Sequence, residues 1–416
     1  MELSTSDRKR LAGAEGEAPQ FAMELLCRVG RAVGARRLID IGQAHLVGAY
    51  YGGPADLALI RRIADSGARV AVPTTLNAGT ADFTQPELYR PDSIEVRKSC
   101  QIVASYRDMG CDLELTCAPY HLPRLPQQGE CIAWAESNAV VYANSVIGAR
   151  SIKAYQYLDL AAALTGRMPE YDLYLDQNRR PQALLDVQGM PEHWLSDDAF
   201  YQLLGLVLGS LAGSAVYALT GLGLAPTQDQ LRALGAAAAA SGDVRMFHVP
   251  GVTPELPLDD PVLEALPRHR LGPDHVLAQR RALAVGRQSE LSAVCLGTPH
   301  YSELEFMVLH RSLDGGPVAR GVPLYVSTSR HVRQQIQRSG LLAELEGLGV
   351  RIISDTCTYY GSLLRGSKGL VLTDSAKWAY YAPGNLGLAV RMLRLEDCVR
   401  SAQAGELIED ESFWHV

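Results

Sequence analysis

The chain has 416 residues, 39 Lys and Arg against 46 Asp and Glu, and a formal charge of −7. That length supports two or three domains around a large buried core, and the mild acidity without any block of like charge excludes nucleic acid and anionic membrane as partners. Eight cysteines without a C-x-x-C pair or a signal-peptide-like start are expected to be reduced thiols of a cytoplasmic protein, not a disulfide framework.

Residues 3–11, LSTSDRKRL, place cap residues ahead of charged helix formers, and apolar spacing through Phe21, Leu25, Leu26 and Val29 continues a helical start. Residues 37–41 read as the first strand, with His45 and Gly48, Gly52 and Gly53 in a loop over its end. Residues 55–66 have amphipathic helical spacing, and 68–72 read as a strand stopped by Pro73. That strand delivers Thr74, Thr75 and Asn77 to a loop. Their hydroxyls and amide suit a carboxylate or hydroxyl ligand, although the same residue types also serve turns and caps. A helix over 94–109 and a short strand over 113–115 lead to TCAPY (116–120). Pro119 forbids helix there and leaves Cys117 at a strand end, where ligands of α/β proteins bind. A single buried cysteine is also an ordinary core residue. Helical alternation in AWAESNAVVYANS puts Glu136, Ser137 and Asn138 in a first turn, where an acid complements the helix dipole.

Residues 199–228 hold no charge and would pass a hydropathy test for a membrane span. Their glycines at 205, 209, 213, 221 and 223 permit close helix packing, Asp197, Asp198 and Asp229 bound them, and no Lys/Arg-rich flank orients them. They are expected to form a buried helix of a soluble core. An Ala-rich helix over 231–241 and a strand over 244–249 with a packed His248 follow. Strands at 291–296, 322–326, 350–353 and 369–372, with helices at 302–311 and 330–348, predict a parallel sheet with right-handed crossovers. The expected organisation is an N-terminal lobe over 1–255 with Cys117, a connection over 256–288, and a C-terminal lobe over 289–416 with Cys295 and Cys357. Both of the latter are expected at the carboxyl edge of one sheet. Three thiolates without a fourth would leave one iron of an iron–sulfur cluster open as a Lewis acid. Nucleophile-elbow, Walker, dinucleotide-fingerprint and His-Glu-x-x-His motifs are absent, which removes the usual support for hydrolase, nucleotide and zinc-protease functions.

VAVPTTLNAG (70–79), TCAPY, GECIAWAESNAVVYANSVIGAR (129–150), FHVPGVTPE (247–255), CLGTPHYS (295–302), PLYVSTSR (323–330), DTCTY (355–359) and TDSAKWAYYAPG (373–384) together resemble the large subunit of the aconitase X family. The likeness runs in the family's order from about residue 3 to the C-terminus. It implies an aconitase-like, multi-lobed α/β fold with parallel sheets and a strand-end cleft, and a hydro-lyase activity. It also implies that Cys117, Cys295 and Cys357 hold an iron–sulfur cluster, [2Fe-2S] or [4Fe-4S]. Some members carry Gly-Cys-Pro-His where this chain has Gly297-Thr298-Pro299-His300, with Cys295 three residues before that cysteine. CLGTPH resembles bacterial members acting on cis-3-hydroxy-L-proline; the other form resembles archaeal mevalonate 5-phosphate dehydratases. His45, His300 and Lys377 are implied as catalytic groups, and Thr74, Thr75, Asn77, Ser137, Asn138 and Ser375 as substrate-binding ones. The family's swivelling domain, which carries a catalytic serine base, has no counterpart in these residues and is expected on a separate small subunit. Other substrates of the same chemistry remain open, among them mevalonate 5-phosphate, for which the basic candidates are the scattered Arg150, Lys153, Arg330 and Arg365. A catalytically silent scaffold subunit is the alternative from another class.

Overall fold

The first residues fold as their caps dictate. Ser4 and Asp7 exchange side-chain-to-backbone hydrogen bonds and open the helix Thr5–Leu11; Glu17–Ala32 follows and buries Ala22, Met23 and Leu26. The computed structural model of the chain describes residues 1–89, 93–154, 157–286, 290–361 and 363–416. It is an α/β fold with three parallel sheets and one antiparallel strand pair among the described residues. The boundary expected between 288 and 289 lies outside the described residues.

A three-stranded parallel sheet comes first, in the order Thr74–Leu76, Ala44–Leu46, Ala133–Trp134. Leu38–Asp40 pairs instead with Arg167–Pro169, antiparallel. His45 therefore lies on a central strand, not in a loop: Ala44 pairs with Thr74 and with Ala133, and His45 is fully buried. Residues 68–72 are not a strand. The Val70 and Ala71 amides donate to Met109 and Ala163 carbonyls, so the ladder begins only at Thr74. Residues 113–115 contribute a single bridge, Leu115 beside Leu76.

A four-stranded parallel sheet follows, Phe247–His248, Tyr217–Thr220, Ala183–Asp186, Arg268–Arg270. Residues 199–228 form two elements, not one helix. Asp198–Ala212 ends at Gly213, whose φ of 55° breaks it, and the chain then supplies the strand Tyr217–Thr220. The helix does pack closely, against Gln228–Ser241: a Cβ on Gly205 would stand 2.3 Å from the Leu234 carbonyl. Among the described residues no helix is long and apolar enough to cross a membrane.

The largest sheet is all parallel, in the order Val350–Ser354, Leu324–Thr328, Leu291–Tyr301, Leu370–Thr373, Ala389–Met392. Its strands are buried and rich in Leu, Val and Ile, as a sheet covered by helices on both faces requires. The helix expected over 330–348 is two, Arg330–Arg338 and Leu341–Gly347, parted at Gly340 with φ 86°.

The two flanking sheets present their carboxyl ends to each other. Val47, Asn77 and Glu136 follow strands of the first sheet, while Cys357 and Lys377 follow strands of the largest. A parallel bridge between Gly79 and Thr356 ties the edges, and Asp82 accepts from the Ser354 amide.

Candidate metal centre and active-site cleft

At the base of this junction Cys117 and Cys357 stand with sulfurs 3.5 Å apart, both nearly inaccessible. With His300 they form the one cluster of possible metal ligands found among the described residues. Cys117 arrives from the first sheet and its Sγ accepts the His300 amide at 3.2 Å. Burial works to raise the Cys117 thiol, but the hydrogen bond from Cys357 and the nearby Lys377 ammonium outweigh it and lower its pKa. Cys357, donating to that sulfur and buried, is pushed up.

His300 is not free to join them. Its Nε2 lies 3.0 Å from the Thr356 carbonyl, which can only accept, so that nitrogen carries the proton. Nδ1 then accepts from Thr116 Oγ1 at 3.0 Å, and the same oxygen receives the Ala118 amide. Burial lowers the imidazole pKa to about 4, so it is neutral. His300 braces the Cys117 loop through ring and backbone.

Cys295, expected as a third ligand at a strand end, is not in this group. The strand that was expected to stop at residue 296 runs on to Tyr301, leaving Cys295 within it, opposite Tyr325 and facing the core with Ala293 and Val371. Its thiol meets the Thr358 hydroxyl, and burial pushes it up to about 12. Cys117 and Cys357, with His300 beside them, therefore suit a metal group, while Cys295 lies outside the set of ligand atoms that come within 4.8 Å of one another. The chemistry of the donor set, two adjacent sulfurs with a cation beside them, carries that test.

Above the thiols opens a cleft of about 600 Å³ lined by Val47, Tyr50, Asn77, Glu136, Ser137, Tyr359, Tyr360, Arg365, Lys377 and Tyr381, among others. Lys377 and Glu136, both buried, meet at 2.6 Å on its floor. Burial disfavours the Lys377 cation, but Glu136 and the two sulfurs overcome this and raise its pKa, holding it charged. Glu136 caps the helix Ser137–Tyr142, accepting the Ala139 amide at 2.8 Å.

Of the residues expected to hold substrate, Asn77 and Ser137 line this cleft with Lys377. Asn138 does not: it donates to the Cys117 carbonyl at 2.9 Å and to Glu136, and accepts from Tyr120. Thr74 is spent on the Val72 carbonyl. Thr75 Oγ1 is 2.8 Å from His45 Nδ1. Ser375 caps the helix Ala376–Leu386 and donates to the Thr298 carbonyl. His45, expected as a catalyst, is buried behind Thr75 and Trp134, and burial lowers its pKa to about 3. The tyrosines were missed, although DTCTY and KWAYY display two of them, Tyr359 and Tyr381.

Known proteins resemble the chain over nearly its whole length. The profile for the aconitase X first domain matches residues 1–177, that for the second domain 181–277 and that for the third 291–404. A cis-3-hydroxy-L-proline dehydratase of Pseudomonas aeruginosa is 39% identical over 97% of this chain and 70% of its own length. A phosphomevalonate dehydratase large subunit of Methanothermobacter thermautotrophicus is 35% identical over 93% of this chain and 95% of its own. The crystal structure of Thermococcus kodakaraensis aconitase X in its holo-form superposes with a TM-score of 0.86 at 32% identity, covering 97% of this chain and all of that one.

Proposed function

The chain belongs to the aconitase X family of hydro-lyases, and from that premise we propose that it dehydrates a cyclic 3-hydroxy imino acid, cis-3-hydroxy-L-proline, to Δ1-pyrroline-2-carboxylate. The observation that carries this reading is the pair of sulfurs, Cys117 and Cys357, beside the buried Lys377–Glu136 pair at the foot of an open cleft.

Cys117 and Cys357 would hold the metal group, an iron–sulfur cluster. When bound, that group supplies a Lewis acid for the departing hydroxyl. Lys377 works to lower the Cys117 pKa and pairs with Glu136, so the buried carboxylate is not stranded. Asn77 and Ser137 hydrogen-bond the substrate's polar groups from the first-sheet side of the cleft. A serine base removes the C2 proton, the C3 hydroxyl leaves as hydroxide and becomes water on taking a proton from solvent, and the resulting enamine tautomerises to the imine. The serine is placed on a small swivel-domain subunit. Relatives named as large subunits, spanned over 95% or more of their length, support that placement. His45 and His300, neutral and hydrogen-bonded away from the cleft, act as braces in this reading.

The test is iron and sulfide content after anaerobic purification with the small subunit, together with turnover of cis-3-hydroxy-L-proline. Cys117→Ser and Cys357→Ser are expected to lose iron and activity, while Cys295→Ser keeps iron. Equal loss in all three would overturn the two-sulfur centre, and a wild type without iron would overturn the reading as a whole.

A further inference from the structure

One wall of the cleft is aromatic. Tyr359 and Tyr381 lie nearly parallel, 22° between planes with centroids 5.6 Å apart, and Tyr360 packs against Tyr359 at 5.0 Å. The wall is braced: Tyr360 donates to the Ala78 carbonyl at 2.7 Å across the junction between the sheets. Val47 and Leu386 add apolar surface.

The charges lining the cleft among the described residues are Lys377, Arg365 and Glu136. Lys377 is committed to Glu136, and Arg365, largely exposed, stands 3.4 Å from Glu95. That leaves a rim cation and no cluster of free donors, a poor match for a phosphate ester, which is taken up by bidentate Arg or several backbone amides. A cyclic imino acid presents the opposite pattern. It is a zwitterion with one carboxylate beside a secondary ammonium on a small apolar ring. The electron-rich faces of tyrosines attract such a cation, and more strongly where water is partly excluded.

We propose that Tyr359 and Tyr381 determine specificity by binding the cationic ring nitrogen of the substrate through their ring faces, with Arg365 at the rim taking its carboxylate. This rests on the dehydratase reading above and deepens it: the tyrosine wall selects a charged cyclic amine over an uncharged or phosphorylated hydroxy acid.

The experiment measures competitive inhibition of the holoenzyme by L-proline and by tetrahydrofuran-2-carboxylate, which keeps the ring and carboxylate but replaces the ammonium with an ether oxygen. The wild type is expected to bind L-proline about five- to tenfold more tightly, the range of a partly desolvated cation–π contact. Tyr381→Leu should bring the ratio close to one, and Tyr381→Phe, which keeps the π face, should preserve it. The Phe variant also separates lost recognition from a wall that fails to form. Turnover of cis-3-hydroxy-L-proline is followed in the same preparations. Turnover with a wild-type ratio near one, or a ratio that survives Tyr381→Leu, overturns the tyrosine assignment alone. No turnover overturns the dehydratase reading and the assignment with it.

Discussion

Replacing Lys377 by Met keeps the length of the side chain and removes its charge, so the outcome isolates the buried ion pair. Lys377 and Glu136 expose only 2% and 7% of their side chains and meet at 2.6 Å. Removing one member of such a pair strands the other in low dielectric, which costs about 3–5 kcal/mol. The loss has a ceiling, because the stranded carboxyl can escape by taking a proton. At pH 7.5 that costs about 4 kcal/mol, roughly three pH units above an ordinary glutamic acid at 1.36 kcal/mol each. Lys377→Met should therefore lose about 3–4 kcal/mol at pH 7.5. The sign of the pH dependence follows. A folded state that demands a protonated carboxyl has a raised pKa there, so its stability is present at low pH and lost as pH rises. The deficit should shrink to about 1–2 kcal/mol at pH 5.5. Equilibrium urea unfolding of both proteins at the two pH values reads this directly. A deficit below about 1 kcal/mol at pH 7.5, or one that grows on acidification, would refute a buried cation balancing Glu136.

Two further outcomes follow from the backbone and from His45. At Gly297 φ is 83°, and a Cβ would stand 2.2 Å from the Ser327 carbonyl, so Gly297→Ala should cost about 3 kcal/mol or more and release iron by displacing the His300 amide from Cys117. Gly315→Ala, at φ 71° with nothing within 4 Å, is the control: about 1 kcal/mol in urea unfolding and unchanged iron. His45, held neutral with its pKa lowered to about 3, contributes stability that is whole above the unfolded value near 6.5 and is lost as pH falls toward 3. Between pH 7.5 and 5 this amounts to about 2 kcal/mol. His45→Gln should lack that portion of the acid sensitivity, seen as a smaller shift in urea midpoint.

The largest sheet was legible because its strands are short buried runs between amphipathic helices, a pattern that period and length separate well. The first sheet was not, because strands of two or three residues such as Ala133–Trp134 and Thr74–Leu76 carry no periodicity and are set by tertiary partners. Cys117 and Cys357 could be placed because Pro119 forbids a helix after the one and the strand expected over 350–353 ends just before the other. Cys295 was expected at a strand end, yet Gly297, with its positive φ, lies in the register shift between Leu296 and Tyr301 through which the same strand continues into His300. The strand thus carries its cysteine inside the core and its histidine to the thiol pair. Lys377 illustrates the converse. The resemblance implied it as a catalytic group, but its partner Glu136 lies 241 residues away, and only the fold reveals the pairing. With Lys377 paired to Glu136, recognition of the substrate in this reading falls to Arg365 at the rim and to the uncharged side of the cleft. The tyrosines there, to which sequence analysis assigned no role, acquire theirs from the shortage of free cations around them.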